Sequence, residues 1–389
     1  MALIPNKQFN EPTGSNSVGV NLALNGNLFV CTSQPRIRLY NQNTLENSRV
    51  SQSITSGSQS ITLINAASAI VHHSSAVVTF VELSSLHTTT ITSGVVSAPT
   101  SGLGQLAAGN PTLGTALLAR STSGGVLKVL SNATCSSLTP AALSGSTVTS
   151  VITKDNKWLL GTSAGRIMEI DDSGTVTTNI AVPTTPAVSA TVQQVIGLVY
   201  YNNKVLALTD LGFLHLYDWS LPALLDTKFV GSSTTSTFST LCDLGSGSAA
   251  YIPSRAGQSA ILEVYFEKQK IVLEDSFIPP VSPTFASYDP VTRFLGVASN
   301  SSGFTSYITF KVTNTNKIPV TTRLQDPAGL DVAGRVIRVR KAGIGRSIVE
   351  SDTNVGTGEQ SIDSTEGRSY FEIAVRQSPE KFDIREFPA

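Results

Sequence analysis

Short stretches in which apolar and polar residues alternate recur along most of the chain, and helical periodicity is absent. Residues 157–163, for example, read KWLLGTS, and a short turn separates them from RIMEI at residues 166–170. Alternation with a period of two is the pattern of a strand that buries one face and leaves the other face wet. The pattern therefore predicts an all-β protein.

Seven segments repeat one order of elements: an apolar strand, a turn, a second strand that ends in small polar residues, a tight turn and a third strand. Aligned third strands share one apolar core position, found at Leu39, Phe80, Val129, Ile170, Leu216, Val264 and Phe310. These positions are 41, 49, 41, 46, 48 and 46 residues apart. A period in the forties with about four strands per unit is typical of a β-propeller, whose blades bury their faces against one another. We expect seven blades over residues 18–322, with a β-helix or stacked sandwiches as rival folds.

Two of these units carry a resemblance to known propellers. Residues 154–176 and residues 288–310 resemble blades of the WD40-like and quinoprotein-like propellers. The GH and WD dipeptides of WD40 repeats are missing, as are kelch and sialidase signatures, and HLYDW at residues 215–219 is the nearest match. The resemblance implies a fold and no particular activity.

The last seventy residues have a different composition. From Val320 onwards the chain carries 21 of its 54 charged residues, and five candidate strands follow one another. A shift of this kind marks a separate unit. The strand order, with Gly358 before the third strand and Tyr370 in the fourth, resembles the carboxypeptidase-regulatory, prealbumin-like sandwich of bacterial surface proteins and phage virion proteins. We expect a small Ig-like or prealbumin-like β-sandwich over residues 323–389.

The first residues, 1–17, fit none of the repeats. They can close the ring by adding an outer strand, or extend as an arm towards another subunit. Pro5 and Pro12 bracket a stretch that looks too short for a paired strand, so the sequence favours the arm.

Charge and composition narrow the class of function. The formal net charge is zero, the isoelectric point is about 6.9, and only 14% of residues are charged. Without a basic stripe we expect no nucleic-acid partner. We expect no insertion into a membrane, because the chain has no apolar run of about 18 residues. We expect synthesis in a cytoplasm, because the start of the chain lacks the pattern of a secretory signal. Cys31, Cys135 and Cys242 are read as buried free thiols.

Three motifs imitate catalytic or binding sites. Gly161-Thr-Ser163-Ala-Gly165 matches a nucleophile elbow, but a strand follows it where that chemistry needs a helix. The stretch 245–250, GSGSAA, imitates a dinucleotide fingerprint and is interpreted as a loop between strands. His72 and His73 point to opposite faces of one strand and cannot chelate together, so they are interpreted as interior filler, like His215. We therefore expect no catalytic, metal-binding or cofactor-binding residues.

The function favoured by these features is structural. Four features predict a non-enzymatic virion protein of a tailed bacteriophage, located in tail, baseplate, neck or capsid. They are the low-charge strands rich in Ser and Thr, the absence of an export signal, the extended N-terminal arm and the terminal sandwich. Its partners would be other virion proteins and further copies of itself. One alternative is a propeller that binds a host receptor or glycan, with sugars stacking on Tyr201, Trp219 and Tyr251. A second is a propeller glycosidase or lyase, which needs convergent carboxylates in the central channel.

Overall fold

The computed structural model describes most of the chain. The described residues are 2–12, 20–31, 35–55, 57–92, 105–120, 125–143, 145–184, 192–230, 240–253, 261–266, 269–277, 282–301, 304–313, 317–323, 334–342, 345–354, 359–365, 369–376 and 382–387.

Seven four-stranded antiparallel sheets follow one another along the chain from β1 to β28. In chain order the strands are β1 (Ala2–Pro12), β2 (Val20–Leu24), β3 (Asn27–Cys31), β4 (Ile37–Asn41), β5 (Asn47–Val50), β6 (Ser58–Asn65), β7 (Ser68–His73), β8 (Val78–Glu82), β9 (Thr88–Ile91), β10 (Ala107–Asn110), β11 (Thr115–Ala119), β12 (Val126–Leu130), β13 (Cys135–Leu138), β14 (Val148–Lys154), β15 (Lys157–Thr162), β16 (Arg166–Ile170), β17 (Val176–Ala181), β18 (Val195–Tyr201), β19 (Lys204–Thr209), β20 (Phe213–Asp218), β21 (Ala223–Phe229), β22 (Thr240–Gly245), β23 (Ser248–Ile252), β24 (Ile261–Tyr265), β25 (Val272–Phe277), β26 (Ser282–Asp289), β27 (Phe294–Ser301) and β28 (Phe304–Thr313).

Blades 1 to 6 each take four consecutive strands, from β2–β5 to β22–β25, and blade 7 combines β26, β27 and β28 with β1. The first strands contact one another from blade to blade, and β26 contacts β2 to complete the circle. The sequence prediction of a seven-bladed propeller is confirmed. A short 3-10 helix, Ala141–Leu143, lies between blades 3 and 4. Among all the described residues, no helix is long and apolar enough to cross a bilayer.

The core lies between neighbouring blades. The core position aligned in each third strand pairs with a second-strand residue, as Ile170 does with Trp158 and Phe310 with Leu295. Six of the seven aligned positions are buried, and Phe80 is partly buried. Buried apolar residues form clusters that each join neighbouring blades, for example Trp158 of blade 4 with Leu117 of blade 3. Each large side chain buried in this way contributes about 1.5–3 kcal/mol of hydrophobic free energy.

The N-terminal strand closes the ring, and here the preference for an arm was wrong. β1 pairs antiparallel with β28 from Ala2, opposite Thr313, to Pro12, opposite Phe304. It is the outer strand of its sheet, where a proline costs no ladder hydrogen bond if its missing N–H faces outward. The register also shifts between Pro5 and Lys7, so a bulge accommodates the first proline.

Polar side chains fasten some blades to the next at their first hairpins. In blade 7 the Asp289 carboxylate accepts a hydrogen bond from the Gly26 backbone N–H of blade 1 at 2.8 Å and from Gln42 Nε2 at 3.3 Å. In blade 3 the Asn110 side chain donates to the Asp155 carbonyl of blade 4 at 2.7 Å. We call these contacts hairpin staples. They satisfy buried polar groups while fixing the angle between blades.

The C-terminal residues form strands of their own. These are β29 (Lys317–Arg323), β30 (Gly334–Ala342), β31 (Gly345–Asn354), β32 (Glu359–Thr365), β33 (Ser369–Arg376) and β34 (Phe382–Phe387). β29 pairs with β32, and a four-stranded sheet has the order β31-β30-β33-β34. The five strands predicted beyond Val320 are therefore present. β29 lies before the boundary placed at residue 323, except for Arg323 itself, and pairs with one of them, β32.

Ring closure through β1 gives a direct test. Deletion of residues 1–12 leaves β28 as an open edge, so the melting temperature should fall by roughly 5–10 °C, as expected for the loss of several kcal/mol. A synthetic peptide of residues 2–12 should restore part of the loss when added in excess, because it binds only the folded ring. The measurement is thermal unfolding followed by circular dichroism, with a scrambled peptide as control. An unchanged melting temperature would rule out β1 as the closing strand.

Candidate functional site

The first strands of the blades surround a central cavity of about 390 Å³. In each blade, the aligned core residue of the third strand pairs with a residue of the second strand, and that residue pairs in turn with one residue of the first strand. These seven first-strand residues occupy equivalent positions around the ring. The seven members of this cavity ring are Leu22, Thr62, Gly109, Thr153, Val199, Asp243 and Tyr288. All except Leu22 line the cavity.

Blades 2 and 3 approach each other too closely at this ring for any side chain. At Gly109, an added Cβ atom would lie 1.2 Å from the Leu63 carbonyl oxygen of blade 2. Glycine is therefore required at this position by the close backbone approach.

Gln105 braces the cavity from within. Its Nε2 atom donates to the carbonyls of Leu198 at 2.6 Å and Leu241 at 3.0 Å, in blades 5 and 6. Its Oε1 atom accepts from the Leu198 backbone N–H at 2.5 Å and from Ser150 Oγ of blade 4 at 3.0 Å. Its backbone carbonyl accepts from the Val151 N–H at 2.7 Å. Gln105 lies just before the first strand of blade 3. Its side-chain carboxamide uses both of its N–H donors and its oxygen acceptor to connect the first strands of blades 4, 5 and 6.

Asp243 is the one carboxylate among the described residues that line the central cavity. The Gly245 backbone N–H donates to its Oδ1 atom at 2.8 Å. The surrounding protein removes water from the carboxylate, which raises the pKa of Asp243 to about 6, and the hydrogen bond from Gly245 opposes this only in part. The side chain nevertheless remains exposed to solvent in the cavity, so this charge is accessible.

Asp243 also lines a second cavity, which we call the side pocket. It has a volume of about 440 Å³ and lies between the first hairpins of blades 6 and 7, lined by Asp243, Leu244, Gly245, Ser246, Tyr288, Pro290 and Arg293. Tyr288 is half-buried and also lines the central cavity. Burial raises the pKa of the Tyr288 phenol, and the nearby Arg293 charge opposes that rise. The two cavities therefore meet at Asp243 and Tyr288.

The aromatic residues predicted to stack on sugars lie elsewhere. Trp219 and Tyr251 are only 6% and 4% exposed, so the expectation of exposed stacking surfaces is wrong for both. Tyr201 is half-buried against the cluster that joins blades 5 and 6. Trp219 follows a strand whose alternate side chains face blade 4, and this packing removes its ring from solvent.

Trp219 belongs to a charged cluster between blades 4 and 5. Its indole Nε1 donates to Glu169 Oε2 at 2.7 Å, and Lys157 Nζ lies 2.6 Å from Glu169 Oε1. Lys154 Nζ lies 3.1 Å from Oε2 and 5.3 Å from the centre of the Tyr200 ring. Burial alone would raise the pKa of Glu169, but the hydrogen bonds from Lys157, Trp219 and their neighbours outweigh burial and bring the pKa to about 2. The carboxylate is thus ionised, enclosed and fully partnered.

The motifs that imitate known sites have structural roles. Ser163 lies in the turn between two strands, and its Oγ accepts from the Thr147 backbone N–H at 3.0 Å. Residues 245–250 form a hairpin with positive φ at Gly245, Ser246 and Gly247. In both motifs a strand follows the turn, as the sequence predicts.

The histidines interpreted as filler are buried. His72, His73 and His215 are at most 1% exposed, and burial lowers the pKa of His72 to about 3 and of His215 to about 4. Throughout the described ranges, no three His, Cys, Asp or Glu side chains are grouped as a metal site.

The cysteines are free thiols, as predicted from their number and spacing. Cys31 and Cys242 are buried, whereas Cys135 is only half-buried, so the prediction of burial is wrong for Cys135. Burial raises the pKa of Cys31 to about 12, so this thiol stays protonated and unreactive.

Asp243 should cost stability at neutral pH. A carboxyl whose pKa rises on folding takes up protons, so stability falls as pH rises from about 4 to about 6 and stays lower above. Asp243→Asn keeps the acceptor for Gly245 and removes the charge, so the variant should melt about 1–3 °C higher at pH 7.5 and lose this advantage at pH 4. Thermal unfolding at both pH values checks this, with the exposed Asp155→Asn as control. A lower melting temperature at pH 7.5 would contradict it.

Glu169 should behave in the opposite way. Its pKa falls on folding from 4.5 to about 2, so it stabilises the protein above pH 4.5 and loses this effect as pH falls towards 2. Glu169→Gln should lower the melting temperature at pH 7 by about 3–6 °C, and the difference should shrink between pH 4.5 and pH 2.5. Unfolding of Glu169→Gln and of the exposed Glu46→Gln is compared across this range. A difference that does not change with pH would contradict the assigned ion cluster.

Comparison with known proteins shows the fold. No family model matches the sequence, and no curated protein matches it at a significant level. Among solved structures, "Structure of U3-55K" has a TM-score of 0.61 at 10% identity and covers 78% of this chain and 99% of that chain. "Crystal structure of RRP9 WD40 repeats" also has a TM-score of 0.61 at 10% identity, with 80% and 99% covered. The β-propeller domain of Cps50 (Swd1) from Myceliophteria thermophila has a TM-score of 0.56 at 11% identity, with 78% and 99% covered. The chain therefore carries a seven-bladed, WD40-like β-propeller.

Proposed function

We propose that this protein is a non-enzymatic scaffold for protein–protein interaction, with the ring presenting its first hairpins and central cavity to partners. The observation that carries the proposal is the composition of the cavity ring. Asp243 is the one carboxylate lining the cavity among the described residues, whereas a glycosidase needs two acids that converge on the substrate. The groups that line the cavity are suited to binding by hydrogen bonds and charge.

The polar groups within the ring support a rigid scaffold. The Gln105 brace and the hairpin staples hold the inner strands at fixed positions, so the hairpins between them present a fixed surface. A similar solved structure is titled "Crystal Structure of Mitotic Checkpoint Complex", with a TM-score of 0.59, 10% identity, and 80% and 92% of the two chains covered. At this identity the likeness concerns the fold, and the interaction role is our proposal.

The finer proposal is that the scaffold is a structural component of a tailed-phage virion, contacting other virion proteins and copies of itself. The low charge of the propeller and the charged C-terminal strands support this assignment. Since β1 closes the ring, docking falls to the C-terminal strands. We propose that the sheet β29-β32 packs on the sheet β31-β30-β33-β34 as a small sandwich that attaches to neighbouring subunits.

The glycan-binding alternative is weaker. It relied on exposed aromatic side chains, and Trp219 and Tyr251 are buried. Because the ring faces of Trp219 and Tyr251 are not accessible, a sugar ring cannot stack on them.

Deletion of residues 317–389 tests the docking role. Particles are purified from cells that express the genome encoding the chain, and the chain is quantified in them by mass spectrometry. We expect the full-length chain to be present at a fixed number of copies per particle, and the deletion variant to be reduced at least about ten-fold while its ring still melts cooperatively. The exposed Asp155→Asn variant serves as control.

Two results would overturn parts of the proposal. Absence of the full-length chain from purified particles would reject the virion assignment. Incorporation of the deletion variant at the normal number of copies would reject docking through the C-terminal strands.

A further inference from the structure

The groove between the first hairpins of blades 6 and 7 differs from two others around the ring. Between blades 7 and 1, a hairpin staple closes the groove: the Asp289 carboxylate accepts a hydrogen bond from the Gly26 backbone N–H at 2.8 Å. Between blades 3 and 4, Asn110 staples the groove to Asp155 at 2.7 Å. Among the described residues that line the side pocket, no hydrogen bond crosses between the two hairpins. The groove stays open there and forms a pocket of about 440 Å³, a volume typical of ligand sites.

Two opposite charges stand in this pocket without ionic partners. Asp243 accepts a hydrogen bond from its own hairpin, and the Arg293 side chain is exposed. Neither takes part in an ion pair among the described residues, whereas Glu169 pairs with two lysines and Asp172 pairs with Lys128. In a chain with only 14% charged residues, two accessible, unpaired charges of opposite sign in one cavity are unusual.

The chemistry of the lining defines a complementary ligand. A carboxylate binds an ammonium or guanidinium group, and a guanidinium binds a carboxylate through two parallel hydrogen bonds. Tyr288 lines both cavities, and the exposed Pro290 supplies an apolar rim. Asp243 and Tyr288 line both this pocket and the central cavity, so a ligand at Asp243 lies beside the central cavity.

We propose that the side pocket binds a polypeptide segment of a partner protein that carries a basic and an acidic side chain close together. The basic side chain pairs with Asp243 and the acidic one with Arg293, while the apolar rim contacts the stem of the segment. This inference rests on the proposed function, because it names the recognition site of the scaffold. The pocket carries one charge of each sign, Asp243 on one hairpin and Arg293 on the other, which favours a peptide with both charges over a simple ion.

The test uses short capped peptides as probes. Acetyl-Lys-Gly-Glu-amide is titrated into the full-length protein, and binding is followed by NMR chemical-shift changes of the peptide and of the protein. The control peptides are acetyl-Ala-Gly-Ala-amide and the two peptides with a single charge. We expect the doubly charged peptide to bind about ten-fold or more tightly than the uncharged one, as two charge-assisted contacts imply.

Variants locate the contacts within the pocket. Asp243→Asn should reduce the affinity for the Lys-containing peptides about ten-fold and leave the Glu-only peptide unchanged. Arg293→Gln should reduce the affinity for the Glu-containing peptides about ten-fold and leave the Lys-only peptide unchanged. The exposed Asp155→Asn and Arg36→Gln serve as matched controls for charge loss outside the pocket, and a cooperative thermal unfolding transition confirms that each variant is folded.

The possible outcomes separate this inference from the proposed function. Equal binding of charged and uncharged peptides, or unchanged binding by both pocket variants, would overturn the pocket. If the chain is still incorporated into particles in that case, the scaffold stands and its contacts lie elsewhere. Loss of binding only in the matching variants, with the controls unchanged, would support the site whether or not the chain belongs to a virion.

Discussion

The structure depends on one constraint: a four-stranded sheet with two apolar faces cannot hide both faces by itself. The buried clusters show how the ring resolves this. Each joins neighbouring blades, and the cluster that contains Val30 of blade 1 also includes Val71 of blade 2 and Phe285 of blade 7. The apolar contacts therefore run continuously around the circle, and a gap at any interface would expose two faces together. Closure by β1 matters for the same reason, since the last blade must be complete to bury its neighbour's face.

The same periodic burial explains what sequence reasoning could predict. The aligned core positions, such as Ile170 and Leu216, recur because each third strand must place an apolar side chain between two blades, and the local alternation records this. The closing strand could not be predicted in this way. Its partner β28 begins at Phe304, almost the whole propeller away along the chain, and Pro5 argued locally against a paired strand. The proline is accepted because the strand is an edge strand with a bulge, which only the completed sheet reveals.

The candidate site was predicted less well, because it depends on contacts between distant segments. Gln105 stands in a weakly patterned stretch, and its role comes from the Leu198 and Leu241 carbonyls of other blades. The stretch 245–250 was read correctly as lying between strands, but Asp243 just before it was not singled out, since its position on a cavity wall depends on the neighbouring blade. Trp219 looked accessible in sequence, and Glu169 of blade 4 supplies the partner that lets its indole be buried. Sequence periodicity indicates burial within one blade, whereas the positions of these side chains depend on contacts with two or three blades.

Two carboxylates illustrate how the ring separates structure from function. Glu169 is enclosed and ionised because ammonium, indole and hydroxyl donors surround it, so its charge is fully used within the protein. Asp243 is bound by one backbone N–H, is exposed in a cavity, and has a pKa raised to about 6 by loss of water. A charge that lowers the stability of the fold at neutral pH is free to interact with a ligand, because no internal partner must first be displaced. The unpaired Arg293 across the side pocket has the same property with opposite sign, and this is the physical reason to look for partner binding at this groove before the stapled ones.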